Sequence, residues 1–68
     1  MVIEIIVNGE TQEAEAAITL GELIRKLGFH PESVAALVND AIIERDRVEE
    51  VCLESGDAIE LVRFVSGG

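Results

Sequence analysis

Residues 2–28 read VIEIIVNGETQEAEAAITLGELIRKLG, and within that stretch the hydrophobic period changes from two to 3.6. Val2 to Val7 is short and β-branched, a composition that suits strands because the branch packs well on a pleated surface. Alternation puts Ile3, Ile5 and Val7 on one face and Val2, Glu4 and Ile6 on the other. The charge sits on the second face, so the first is the expected core face and Ile6 an exposed apolar residue. Asn8-Gly9 supplies the two positive-φ positions that a tight hairpin turn requires. Thr11 to Ala17 is the expected returning strand.

Thr19 then opens a helix. Glu22 stands three positions later and completes a Thr-x-x-Glu capping box, in which each side chain satisfies the other residue's orphan backbone donor. Leu20, Leu23, Ile24 and Leu27 follow the i, i+3, i+4, i+7 spacing of one apolar stripe. Arg25 and Lys26 fall in the last turn, where cations suit the helix dipole. Gly28 fits the position just past the end, and Pro31 prevents continuation.

Beyond the helix, Val34 to Val38 is the expected third strand, ended by Asn39-Asp40, a pair that tolerates left-handed backbone. Ala41 to Ile43 is a short fourth strand. Glu44 to Glu50 is too charged for a strand and is expected to hold a short helical turn. Ser55-Gly56-Asp57 turns the chain into a last strand, Ala58 to Phe64. There Ile59 and Leu61 face one side, and Ala58, Glu60, Val62 and Phe64 the other. The order predicts an α+β domain, a mixed four- to five-stranded sheet with one main helix packed across one face. Residues 1–64 form that single domain, and residues 65–68 are expected to be a flexible C-terminal diglycine tail.

The chain has 68 residues, enough for one core and no second. Fourteen acids against five bases give a formal charge of −9. Phosphate backbones would be repelled at every approach, which argues against nucleic acid. The charge serves solubility or matches a basic partner surface. A single cysteine, Cys52, excludes an internal disulfide, and with the single His30 it falls short of a zinc ligand set. Cys52 is expected to be a buried small hydrophobe beside Leu53, and His30 a loop residue. No basic leader and no apolar run of membrane-spanning length occurs, so a cytoplasmic protein without membrane contact is expected.

The sequence closes on Val65-Ser66-Gly67-Gly68. Two glycines without Cβ atoms make a peptide thin enough to thread a narrow channel, and a free carboxylate at Gly68 would be open to acyl activation. No acid–base, nucleophilic or metal constellation accompanies it, so the chain reads as something acted upon.

Taken together, these segments resemble the thiamine-thiazole sulfur carriers (ThiS), small members of the ubiquitin-like β-grasp fold and of the MoaD/ThiS superfamily. The matching residues are Ile3 to Asn8, Thr19-Leu20-x-Glu22-Leu23-Ile24, and Val38-Asn39-Asp40-x-Ile42-Ile43-x-Arg45. Leu53-x-x-Gly56-Asp57-x-Ile59 and Val65-Ser66-Gly67-Gly68 complete them, so the resemblance spans the chain. It implies that an adenylating enzyme of the ThiF/MoeB-like type activates Gly68 with ATP, and that a thiocarboxylate follows. The terminal sulfur would pass to thiazole synthase or another sulfur-accepting enzyme. No cofactor is bound by the carrier itself; the ATP is used by its activating enzyme. The carrier would be a monomer alone.

Gly68 and Gly67 are therefore the expected covalent carrier residues. Ile6, Val62, Phe64, Val65 and Ser66 are the expected partner-binding residues, since apolar groups on the outer face near a reactive tail form the kind of patch that marks an interface. Arg63, with core-side parity near the strand end, can snorkel, and Arg45 is expected to cap or salt-bridge a loop. Other destinations for the sulfur are molybdopterin in the manner of MoaD, cysteine or methionine synthesis, or tRNA thiolation. Outside the carrier class stand a ubiquitin-like protein modifier and a plain interaction domain.

Overall fold

The structure, a computed structural model, describes residues 1–64. Strand β1 spans Val2–Val7 and β2 Glu10–Glu15. They pair antiparallel in a register that sets Val7 opposite Glu10 and Val2 opposite Glu15. The turn between them is built as its composition demands, with Asn8 at φ 50° and Gly9 at φ 84°. β2 stops at Glu15, short of the expected Ala17, and Ala17 itself takes a φ of 68° on the way into the helix.

Helix α1 spans Leu20–Lys26 and carries both halves of the capping box. The Thr19 hydroxyl accepts from Glu22 N–H at 3.1 Å, and the Glu22 carboxylate accepts from Thr19 N–H at 2.9 Å. Gly28, at φ 90°, takes the left-handed conformation that ends the helix. Pro31 both stops the chain from continuing and opens a single turn of 3-10 helix, Pro31–Ser33. Its fixed φ suits the first position of such a turn.

β3 (Val34–Val38) and β4 (Ala41–Ile43) form a second hairpin. Asn39 and Asp40 at its tip have φ of 51° and 71°. The charged segment after β4 holds the expected helical turn, at Arg45–Arg47. β5 (Ala58–Arg63) then inserts between the two hairpins, parallel to β1 and antiparallel to β3. The strand order is β2-β1-β5-β3-β4, five strands with the first and last at the centre.

The helix covers one face of this sheet. Ile5, Leu20, Ile24 and Ile59 are the largest fully buried side chains, joined by Val7, Leu23, Val34, Ala36, Val38, Val48 and Leu53. Each completely buried aliphatic side chain contributes about 1.5–3 kcal/mol of hydrophobic stabilisation before chain entropy is subtracted. Among the described residues no polar or charged side chain is buried.

Cys52 corrects an expectation. Its thiol side chain is exposed rather than buried. The segment runs antiparallel beside the entry to α1: Cys52 bridges Thr19, Leu20 N–H donates to Val51 O at 2.8 Å, and Leu53 N–H donates to Ile18 O at 2.9 Å. Extended backbone alternates its side chains, so with Leu53 fixed inward, Cys52 must point out.

Candidate functional site

β5 is the element that would deliver the chain to its end, and its flanks are tied by side chains as well as by backbone. Ile6 N–H donates to Asp57 O and Asn8 N–H to Ile59 O, each at 2.9 Å. At the hairpin turn β1 leaves the sheet, and there the Asn8 side chain continues the ladder: its Oδ1 accepts Leu61 N–H at 2.9 Å. On the opposite flank Asn39 Oδ1 accepts Ala58 N–H at 3.0 Å, while its Nδ2 donates to Asp57 Oδ1 at 3.1 Å. Asp57 Oδ2 accepts Glu54 N–H at 2.8 Å and so closes the preceding turn. Phe64 N–H donates to Ser33 O at 3.0 Å, which carries the pairing with the β3 side through to the last described residue.

The face of the sheet away from the helix holds three of the predicted partner-binding residues. Ile6 is 37% exposed, Val62 55% and Phe64 58%. Strand register decides which of them come together. Val62 lies opposite Ala35 on β3, and Glu60 opposite Leu37, which in turn lies opposite Ile42 on β4. Ile42 is 76% exposed, so Val62, Phe64, Ala35, Leu37 and Ile42 form one apolar zone over β5, β3 and β4. Ile6 instead lies opposite Ala58, at the start of β5. Four residues of strand, about 13 Å, separate it from Val62. Val65, Ser66, Gly67 and Gly68 lie outside the described residues.

Ala35, Leu37 and Ile42 were not singled out from sequence. Alternation within β3 and β4 marks them as outward, but only the pairing with β5 shows that they border Val62. The second roles of Asn8 and Asn39 were likewise hidden, because their turn chemistry alone accounts for their presence.

Arg63 behaves as its parity predicts, with its guanidinium 5.3 Å from the centre of the Phe29 ring on the helix side, a distance within cation–π range. Arg45 does not behave as expected: among the described residues its side chain makes no ion pair. Arg47 pairs with Glu50 at 3.4 Å instead, and Arg25 reaches from α1 to grip Glu49 with two hydrogen bonds, one of them 3.0 Å from Nη2 to Oε1. The Arg25 hydrogen bond holds the Glu49 carboxyl below the usual carboxylate range, and Glu49 in turn raises Arg25. Glu49 lies over Gly21, where a Cβ would come within 2.5 Å of its carboxylate. His30 sits in the loop before the 3-10 turn. Among the described residues no three His, Cys, Asp or Glu side chains group as metal ligands, and no helix is long and apolar enough to cross a membrane.

Two antiparallel hairpins flanking one central strand that runs parallel to β1, with one helix across one face, define a ubiquitin-like β-grasp domain. The chain belongs to the ThiS family, whose model matches residues 5–68. Its fold is similar to the crystal structure of a thiamine biosynthesis protein (ThiS) from Geobacter metallireducens. That similarity has a TM-score of 0.80 at 28% identity, covering 97% of this chain and 100% of the other. A designed protein based on the template of human erythrocytic ubiquitin shares the fold at a TM-score of 0.55 and 23% identity, covering 98% of this chain and 95% of that one. In sequence the chain is 45% identical over 65 residues to a thiazole synthase from Magnetococcus marinus. The match takes in 96% of this chain and 20% of that relative, so the chain spans about a fifth of the protein it matches.

Proposed function

We propose that this chain is a cytoplasmic sulfur carrier for thiazole formation in thiamine biosynthesis, and that it catalyses nothing alone. The observation that carries the reading is the family match, which runs from β1 through Gly67-Gly68. The thiazole synthase of Magnetococcus marinus contains a stretch 45% identical to this chain, which supports thiazole synthase as the recipient.

In the proposed cycle a ThiF/MoeB-like enzyme binds ATP, and the Gly68 carboxylate attacks its α-phosphorus. Pyrophosphate leaves and an acyl adenylate forms. A sulfide equivalent then adds to the activated carbonyl, AMP departs with the bonding pair, and a thiocarboxylate remains. Where the donor is a persulfide, the first product is an acyl disulfide, and a thiol reductant releases the thiocarboxylate. Sulfur is the more nucleophilic end of that group, so the chain becomes a protein-bound sulfide. The base and the oxyanion contacts belong to the partner enzyme. The apolar zone around Val62 and Phe64 would supply the docking surface.

Incubation with a ThiF-type enzyme, ATP and sulfide is expected to add the mass of one oxygen-to-sulfur exchange, located at Gly68. Deletion of Gly68 should abolish it. An unchanged mass gain after that deletion would overturn the reading, and isopeptide adducts on lysines would assign the chain to protein modification instead.

A further inference from the structure

The end of helix α1 is tied to the end of β5 through the loop between them. Gly28 N–H donates to Arg25 O at 3.0 Å and Phe29 N–H to Ile24 O at 3.1 Å. With Gly28 in left-handed backbone, these are the paired bonds of a Schellman motif, which fixes the residue after the glycine against the last helical turn. That residue is Phe29, and its side chain packs partly buried against the core. Pro31 then opens the 3-10 turn, closed by Ser33 N–H donating to His30 O at 2.8 Å. The helix end therefore places two groups, the Phe29 ring and the Ser33 carbonyl.

Both meet the end of β5. Arg63 lies opposite Val34, which is buried, so its side chain leaves on the helix side, and its guanidinium stands over the Phe29 ring. Among the described residues Arg63 forms no ion pair. Ser33 O accepts the Phe64 N–H at 3.0 Å. On the other flank support stops earlier: Asn8 holds the Leu61 N–H, and among the described residues no group of the first hairpin bonds to β5 beyond it. Residues 62–64 are thus held from one side, by β3 and the loop that carries Phe29 and Ser33.

We infer that Phe29, together with Ser33, is a positioning residue for the chain end. Ring and carbonyl clasp residues 63 and 64, and so set the point from which Val65-Ser66-Gly67-Gly68 must reach. The positioning role rests on the carrier function proposed above, whereas the clasp is a property of the free domain. Four residues span at most about 14 Å. With the clasp open the nearest hold is Val62, opposite Ala35, and six residues, 63–68, then follow it. The effective concentration of a tethered group falls roughly as the −3/2 power of the tether length, so that change dilutes the terminal carboxylate at a partner's nucleotide about twofold. A cation over a ring at an exposed site shifts an equilibrium by a factor of about two to five. Strand ends open with free energies near zero, so a factor of that size decides whether residue 64 is held.

Hydrogen exchange by NMR on the full chain, with steady-state pyrophosphate release by a ThiF-type adenylating enzyme, tests both parts. Phe29→Leu keeps an apolar side chain and removes the ring; Arg63→Gln removes the cation. Each should speed exchange of the Phe64 amide by about two- to fivefold and leave the Leu61 amide, on the Asn8 side, unchanged. Each should also lower kcat for pyrophosphate release by up to about twofold at an unchanged KM, because the outer face is untouched. Phe29→Tyr and Arg63→Lys, which retain a ring and a cation, should behave as wild type in both measurements. A Phe64 amide that exchanges alike in wild type and Phe29→Leu overturns the clasp, whatever the chain does as a carrier. Faster exchange with an unaltered kcat, or a change confined to KM, overturns the positioning role. If wild type releases no pyrophosphate, the carrier reading falls and the positioning role with it, and the exchange result still decides the clasp.

Discussion

Asn8 Oδ1 accepts the backbone N–H of Leu61 at 2.9 Å, joining residues 53 positions apart. The same residue holds the left-handed corner of the first hairpin, at φ 50°, so one side chain serves a local turn and a distant strand. The two roles separate by substitution. Asn8→Gly keeps the corner and loses the acceptor, and should cost about 1 kcal/mol, the net value of a typical hydrogen bond. Asn8→Ala loses the acceptor as well, and keeps a Cβ in left-handed backbone without the polar side chain that eases it, so it should cost about 1–2 kcal/mol more than Asn8→Gly. Urea unfolding of both variants measures the difference; equal losses would mean that the contact with Leu61 carries all of the effect.

Glu49 gives the domain an acid-sensitive contact. Its carboxyl is held below its ordinary value by Arg25, so its contribution is complete above the unfolded carboxylate pKa of about 4.3. It fades as pH falls through the lowered folded value. Between about pH 5 and pH 3, wild type should therefore lose more stability than Glu49→Gln, with the two curves converging at the acid end. Gly21→Ala probes the same contact from below. Alanine gains up to about 1 kcal/mol of helix propensity, but its methyl displaces the Glu49 carboxylate. Stability should stay within about 1 kcal/mol of wild type, while the Glu49 titration, followed by NMR, moves up toward its ordinary range.

Val62 and Phe64 project from the face that no core residue touches. Phe64→Ala and Val62→Asp should leave stability within about 0.5 kcal/mol of wild type. Affinity for a ThiF-type activating enzyme should fall by at least about fivefold, a 1 kcal/mol effect being the usual mark of a contributing interface residue. Unchanged affinity in calorimetry would remove these residues from the docking surface.

Cys52 and Leu53 are neighbours with opposite fates. Cys52→Ser should change stability by less than about 0.5 kcal/mol, and the native thiol should react with maleimide without denaturant. Leu53, 2% exposed, should cost about 2–5 kcal/mol on replacement by alanine. A thiol that reacts only after unfolding would contradict the outward direction of residue 52.

The elements were legible because their signals are local. The Thr19–Glu22 reciprocity needs four residues, the Asn8-Gly9 corner two, and the alternation of Ile3, Ile5 and Val7 no partner strand. What sequence could not supply was whatever distant pairing decides. Cys52 is small and apolar enough to suit a core position, but its direction depends on a bridge to Thr19 that leaves no mark near residue 52. Ile6, Val62 and Phe64 share an outward parity, but the offset between Ile6 and Val62 follows from the Ile6–Ala58 register. Arg45 matched a family pattern, and no local rule showed that Arg47 would take the glutamate.

Because β5 fills the slot between β1 and β3, a nascent chain on the ribosome lacks the middle of its sheet until residues near 63 have emerged. Until then the chain would expose two unjoined hairpins and no continuous outer surface. Synthesis order thus decides when the outer face first exists as one surface.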